Sequence, residues 1–318
     1  MRPPPTFAIP PTFLGVGSSP RGGITVAGVP LDIGTTNRSG SRFGPGAIRH
    51  ASRMLVDGDH PTHWVRPGRF GLVDAGDFEI AMGDLEASLG MIERQALAHD
   101  HLVTLGGDHT VTLPLLRALA GRQGKGLGLI HFDAHVDTWP DSFGLRYGHG
   151  SVFYHAICEG LVDPTRMVQI GIRSPTEKAV YDWTLVQGVS IISATQVHEG
   201  GPAVIAGAVR DIIGDGPAYL SFDIDALDPA FAPGTGTPEV AGLTTYQAQA
   251  ILRRLGGMRF VGMDLVEVAP AYDVSEITAL AGATMVWEYL SLVAAGTLAS
   301  GEAQDAAASG EAEAAPVQ

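Results

Sequence analysis

Between residues 24 and 293 the chain alternates two kinds of hydrophobic pattern. Short runs that are apolar at nearly every position are Ile24–Val29, Leu102–Leu105, Leu127–Phe132, Met167–Ile172, Val189–Ile192, Ala218–Phe222 and Phe260–Val266. Such runs predict strands covered on both faces, because a half-exposed sheet would alternate apolar with polar residues. Longer stretches with helical spacing are Leu85–Ala98, Val111–Ala120, Ser151–Gly160, Ala203–Ile213, Thr244–Leu255 and Ser275–Val293. Strand–helix alternation of this kind predicts an α/β fold, a three-layer αβα sandwich around a mostly parallel sheet. No interior linker or internal repeat divides it, so residues 24–295 read as one domain.

The ends differ. Residues 1–23 are rich in Pro and Gly and read as an extended arm, with Phe7, Ile9 and Phe13 available for packing on the body or on a neighbouring subunit. Residues 296–318 form a low-complexity tail with four acids and no basic residue, expected to be disordered.

Composition narrows the function classes. Of the 318 residues, 45% are hydrophobic and 17% charged, which excludes global disorder. No apolar run reaches the roughly 18 residues of a membrane-spanning helix, and Met1–Pro5 lacks the features of a secretory signal. The single cysteine, Cys158, excludes a disulfide framework within the chain and a thiolate zinc site; a reduced, cytoplasmic setting is expected. A net charge of −14 argues against nucleic acid as a partner and mildly favours a small cation, although solubility alone would account for it.

In parallel α/β sheets ligands bind beyond the carboxyl ends of the strands, so the residues just after each strand matter most. Leu102–Leu105 is followed by Gly106-Gly107-Asp108-His109-Thr110, and Leu127–Phe132 by Asp133-Ala134-His135-Val136-Asp137. Ala218–Phe222 leads into Asp223-Ile224-Asp225, and Phe260–Val266 delivers Glu267. If the strands continue, Asp133, His135 and Asp137 share one face, as do Asp223 and Asp225. Each motif alone has an ordinary explanation as a turn or a helix cap. Together they place several carboxylates close enough to repel unless cations neutralise them. Two divalent ions bridged by shared carboxylates, with His109 and His135 each on one ion, would do so. An oxygen-rich donor set with two imidazoles suits manganese, with nickel or cobalt harder to exclude. Zinc fits less well.

GGDHT (106–110), HFDAHVD (131–137) and SFDIDALDPAFAPGTGTP (221–238) resemble the signatures of the ureohydrolases, the arginase and agmatinase family. The resemblance runs from about Ile24 to Ala295. In VGMDLVEVAPAYDVSEITALAGATM (261–285), AYD followed by EIT is similar to the agmatinase branch. The resemblance implies an eight-stranded, arginase-like parallel sheet, a binuclear manganese centre, and a homotrimer or homohexamer. By motif, the metal ligands would be His109, Asp133, His135, Asp137, Asp223 and Asp225, with Asp133 and Asp225 bridging. His149 matches the family's proton shuttle and Glu267 the acid that orients the guanidinium; Asp137 would pass a proton to the leaving amine. One departure is HGS at 149–151, where agmatinases usually read HGT.

The implied reaction is attack of a metal-bridging hydroxide on a guanidinium carbon, converting agmatine and water to putrescine and urea. A guanidino-acid hydrolase acting on 4-guanidinobutyrate or 3-guanidinopropionate is the alternative. Further readings are a hydrolase of another C–N bond, such as a formimino group, and a non-catalytic metal-binding scaffold. Within the loop Trp139–Tyr147, Asp141 would suit a substrate amine and Arg146 a carboxylate, and the sequence does not say which faces inward. His131 reads as a packed strand residue. Asp108 is open to two roles, helix N-cap or partner of a ligand histidine. The glycines of Gly124–Gly128 precede a strand and so do not form a phosphate loop.

Overall fold

In a computed structural model, which describes residues 5–313, each apolar run becomes a strand of one parallel eight-stranded sheet. The strands are β1 (Ile24–Gly28), β2 (Leu72–Asp77), β3 (Leu102–Leu105), β4 (Leu127–Phe132), β5 (Val162–Ile172), β6 (Ser190–Ser193), β7 (Ala218–Asp223) and β8 (Phe260–Val266). Their order across the sheet is β2-β1-β3-β8-β7-β4-β5-β6. Every residue of β1, β4 and β7 is buried, as an uninterrupted apolar run requires of a strand covered on both faces.

The helices are α1 (Gly44–Ser52), α2 (Leu85–Ala96), α3 (Thr112–Gln123), α4 (Val152–Cys158), α5 (Lys178–Val186), α6 (Ala194–Ile213), α7 (Thr245–Arg253) and α8 (Ile277–Glu313). Their starts follow from side-chain chemistry. Ser193 and Gln196 form a reciprocal capping box on α6, Thr244 and Gln247 another on α7, and Asp84 caps α2. Losing such a cap costs about 1 kcal/mol. Gly201, at φ 73°, and Pro202 kink α6 just before the expected helical stretch 203–213.

Three elements lie outside the sequence expectation. Strand β2 alternates buried and half-exposed residues because it is the sheet edge, and its Asp74 is buried against Arg49 at 2.8 Å, so it lacks an apolar run. Helix α1, GPGAIRHAS, is masked by its glycines, although Pro45 suits a first turn. Helix α5 is short and follows the Ser174–Glu177 loop. The arm packs on the body: Phe13 is fully buried, its N–H donates to Asp74 Oδ2 at 2.7 Å, and Leu14 N–H donates to Ser52 Oγ at 2.8 Å.

Helix α8 runs to Glu313, so helical backbone continues into the 296–318 segment expected to be disordered, while residues 314–318 lie outside the described residues. The stretch Ile277–Leu298 has the length and average hydropathy of a membrane span without an unbroken apolar run, and 72% of its most apolar window is buried in the protein, as befits a core helix.

The topology sets the site. Strands β3, β8, β7 and β4 are consecutive neighbours at the sheet centre, and these four carry the motifs. Their ends are level: Leu105 pairs with Leu265, Asp223 with Val266, and Phe132 with Phe222. Residues that follow them therefore meet over the middle of the sheet.

Candidate metal centre and active site

The Gly106–Gly107 turn is dictated by space. A Cβ on Gly107 would lie 1.7 Å from Leu31 O, and one on Gly106 would lie 2.5 Å from Val266 Cγ1. The close approach lets His109 N–H donate to Glu267 Oε1 at 2.9 Å and Glu267 N–H to Gly107 O at 2.8 Å, linking the turn after β3 to the end of β8.

His109 is fully buried, and its Nδ1 stands 2.9 Å from Asp137 Oδ2, 3.2 Å from Asp133 Oδ2 and 3.3 Å from Asp223 Oδ2. Its other nitrogen donates to Ser221 Oγ at 2.9 Å, and Ser221 in turn donates to Asp264 Oδ1 at 2.7 Å. Asp264 also accepts from Thr112 Oγ1 and Tyr219 OH, each at 2.8 Å. This chain places a proton on Nε2, so that Nδ1, which makes no hydrogen bond, offers a lone pair to a cation when the ring is neutral. A lone pair facing three carboxylate oxygens is repulsive unless a cation lies between them.

A second cluster adjoins the first. His135 Nδ1 is 3.2 Å from Asp133 Oδ1 and 3.2 Å from Asp225 Oδ2. Asp133 thus turns one oxygen to each histidine. Asp225 is held by Ala134 N–H at 3.1 Å and Thr237 Oγ1 at 3.2 Å. Burial, followed by the charges of Asp225 and Asp133, pushes the Asp223 carboxyl well above the ordinary carboxylate range. The donor set therefore fits two cations: oxygen-rich, imidazole-capped, buried and short of positive charge.

Both His131 nitrogens are engaged. Nε2 donates to Asp133 Oδ2 at 2.7 Å and Nδ1 accepts from Gln169 Nε2 at 3.2 Å, so this buried strand residue steadies Asp133. Asp108 serves as the cap of the turn after β3, accepting from Thr110 N–H at 2.9 Å and Gly34 N–H at 2.8 Å. The partner of His109 is instead Ser221, unsuspected in sequence along with Asp264 and Gln169. The available signal was a buried polar residue inside an otherwise apolar strand.

Glu267 and Asp137 adopt left-handed backbone conformations, φ 65° and 49°, uncommon for side-chain-bearing residues and concentrated at functional sites. Glu267 Oε1 accepts from His109 N–H and, at 3.0 Å, from His149 Nδ1, while its Oε2 is buried without a partner. Burial opposes the charge on His149, but the hydrogen bond and charge of Glu267, with Asp137 and Asp108 beyond, raise its pKa to about 9. A cavity of about 560 Å³ is lined by His135, Asp137, His149 and Asp223 among others, with Glu267 buried behind His149. Its wall carries Asp141 and Glu177 and, among the described residues, no lysine or arginine. Arg146 instead stacks over Tyr147, 5.0 Å from the ring centroid. The loop turns sharply at Phe143 (φ 52°) and Gly144 (φ 86°), with Ser142 and Leu145 exchanging backbone hydrogen bonds.

This sheet and site define a metal-dependent hydrolase scaffold, and residues 23–291 match the Arginase family. The chain belongs to that family, whose members are binuclear-metal enzymes and hydrolases acting on C–N bonds of amidines. It is 47% identical over 276 residues to an agmatinase of Proteus mirabilis, covering 85% of this chain and 87% of that one. Among solved structures it is similar to a hypothetical agmatinase from Burkholderia thailandensis, with 43% identity, a TM-score of 0.84 and coverage of 91% of this chain and 92% of that one. It is also similar to proclavaminate amidino hydrolase from Streptomyces clavuligerus, with 37% identity, a TM-score of 0.88 and coverage of 92% and 100%.

Proposed function

We propose that this chain hydrolyses agmatine to putrescine and urea, with two Mn²⁺ ions held by His109, Asp133, His135, Asp137, Asp223 and Asp225. The observation that carries the substrate is the cavity wall, where Asp141 and Glu177 offer negative charge to a second, distal cation and where, among the described residues, no lysine or arginine offers charge to a carboxylate. The identity to agmatinases supports the same reading. A guanidino acid would need a cation at that wall, and Arg146 is engaged with Tyr147.

Two divalent ions in this cage would supply Lewis acidity and lower the pKa of water, about 15.7 in bulk, into the range where hydroxide is available. The rest falls to the side chains. Glu267 would offer its buried, unpartnered Oε2 to the planar guanidinium while Oε1 stays tied to His109 N–H and His149. A charge-assisted hydrogen bond from a fixed oxygen orients the electrophilic carbon. As water adds and the C–N bond to the alkyl amine breaks, the leaving nitrogen takes a proton. Asp137, on the cavity wall, would pass it. With a pKa near 9, His149 holds a proton at neutral pH and can replace the one delivered.

The assembly and location that accompany this proposal are a homotrimer or homohexamer in the cytoplasm; light scattering of the purified protein tests the assembly. The function itself is tested by urea release from agmatine and 4-guanidinobutyrate side by side. Preference for agmatine supports the proposal, and preference for the acid transfers the chain to the guanidino-acid reading.

A further inference from the structure

His149 has one feature that the proposed chemistry does not use. Its Nε2 lies 2.7 Å from Thr36 Oγ1 and 3.2 Å from Thr36 N, whose N–H donates to it. Thr36 is exposed on the cavity wall, in the loop after β1, while the His149 side chain is only 11% exposed. The loop is pinned on both sides: His149 N–H donates to Gly34 O at 3.2 Å, and Gly34 N–H donates to Asp108 at 2.8 Å.

We propose that Thr36 is a positioning residue for His149, whose hydroxyl keeps the imidazole aligned in both protonation states and links its Nε2 to cavity water. The inference rests on the reading of His149 as a proton shuttle. The physical reason lies in donor and acceptor capacity. When His149 is neutral with its proton on Nδ1, facing Glu267, Nε2 accepts from the Thr36 N–H and can also accept from the hydroxyl. When His149 is an imidazolium, Nε2–H needs an acceptor. The backbone N–H cannot reverse its role, whereas a hydroxyl both donates and accepts. Glu267 covers Nδ1, so proton exchange with the cavity must run through Nε2, and the group in contact with Nε2 is the Thr36 hydroxyl. The same contact stops the ring from rotating away from Glu267.

The test compares Thr36→Val, which keeps shape and the backbone N–H, with Thr36→Ser, which keeps the hydroxyl, in the manganese-loaded enzyme. Positioned acid–base groups contribute about 10²–10⁴ in rate, so losing the alignment of one is expected to lower kcat roughly tenfold, with KM within about twofold of wild type. The ring ¹⁵N resonances of His149, recorded on the metal-free protein so that no paramagnetic ion broadens them, provide a readout independent of substrate. In the valine variant its titration midpoint should fall by about one pH unit, because the imidazolium loses its acceptor. The serine variant should restore both values. Unchanged kcat and an unchanged His149 titration in the valine variant would overturn the inference, as would equal losses in the valine and serine variants. If wild-type enzyme releases no urea from agmatine while the His149 titration still responds to valine and recovers with serine, the positioning role stands and the substrate proposal falls.

Discussion

Replacing Glu267 with glutamine keeps the side chain's shape, removes its charge from Oε2 and from the neighbourhood of His149, and should therefore lower the His149 pKa as well. Oε1 of Glu267 accepts two hydrogen bonds, from His109 N–H at 2.9 Å and His149 Nδ1 at 3.0 Å, whereas Oε2 is buried and unpartnered. In Glu267→Gln the amide oxygen can take over both Oε1 bonds. The NH₂ group then falls where Oε2 was, and it can only donate, as can a guanidinium. The substrate thus loses a charge-assisted hydrogen bond worth about 1.5–3 kcal/mol and meets a donor instead. At about 1.4 kcal/mol per factor of ten, kcat/KM should fall by roughly 10- to 10²-fold, with agmatine KM raised. The left-handed φ at this position is no worse for glutamine, so the melting temperature should stay within a few degrees of wild type. Urea release under steady-state conditions and metal content by elemental analysis provide the assay. A kcat/KM within threefold of wild type would refute the role assigned to Oε2. Loss of bound manganese in parallel with activity would show that Glu267 acts through the metal cage instead.

Other expectations follow from the same geometry. Chelation should abolish urea release and lower the melting temperature, because the clustered carboxylates then repel without a counter-ion, and added Mn²⁺ should restore both. Glu288→Ala removes the fully buried carboxylate shared by His60 at 2.9 Å and Arg253 at 2.6 Å; it should destabilise the fold by about 3–5 kcal/mol in chemical denaturation, and a loss under 1 kcal/mol would contradict the pairing. His101, bonded to Tyr289 at 2.8 Å, has its pKa lowered to about 4, first by burial and then by Arg122. The unfolded chain, with a histidine pKa of about 6.5, therefore binds more protons between those values, and this contribution to stability is lost as pH falls from about 6.5 towards 4. His101→Gln should flatten that part of the pH–stability curve relative to wild type, and an unchanged slope would count against it.

The sequence conveyed the site better than it conveyed the site's supports. Ligand-type residues stand directly after apolar strands, so their place at the strand ends brings them together, but the strands stop at Phe132 and Asp223 and turns, not a continued period of two, set the side chains beyond. The contact of Ser221 with Asp264 depends instead on β7 lying beside β8, an order that no local pattern encodes. Thr36 reaches His149 across 113 positions through a loop with no periodicity. Edge strand β2 escaped notice for a related reason: its Asp74 is satisfied by Arg49 and by the arm's Phe13 N–H, partners distant in sequence. The orientation of Asp141 and Arg146 was open until the backbone was seen to reverse at Phe143–Gly144, a turn that needs positive φ at a phenylalanine and so leaves a weak sequence signal.

The most direct test of the account is urea release by the manganese-loaded enzyme given agmatine or 4-guanidinobutyrate, with Asp137→Asn as the blank. The account expects agmatine to be hydrolysed far more efficiently, with the blank inactive. Preference for the acid, or no urea from either by protein that holds two ions per chain, would contradict it.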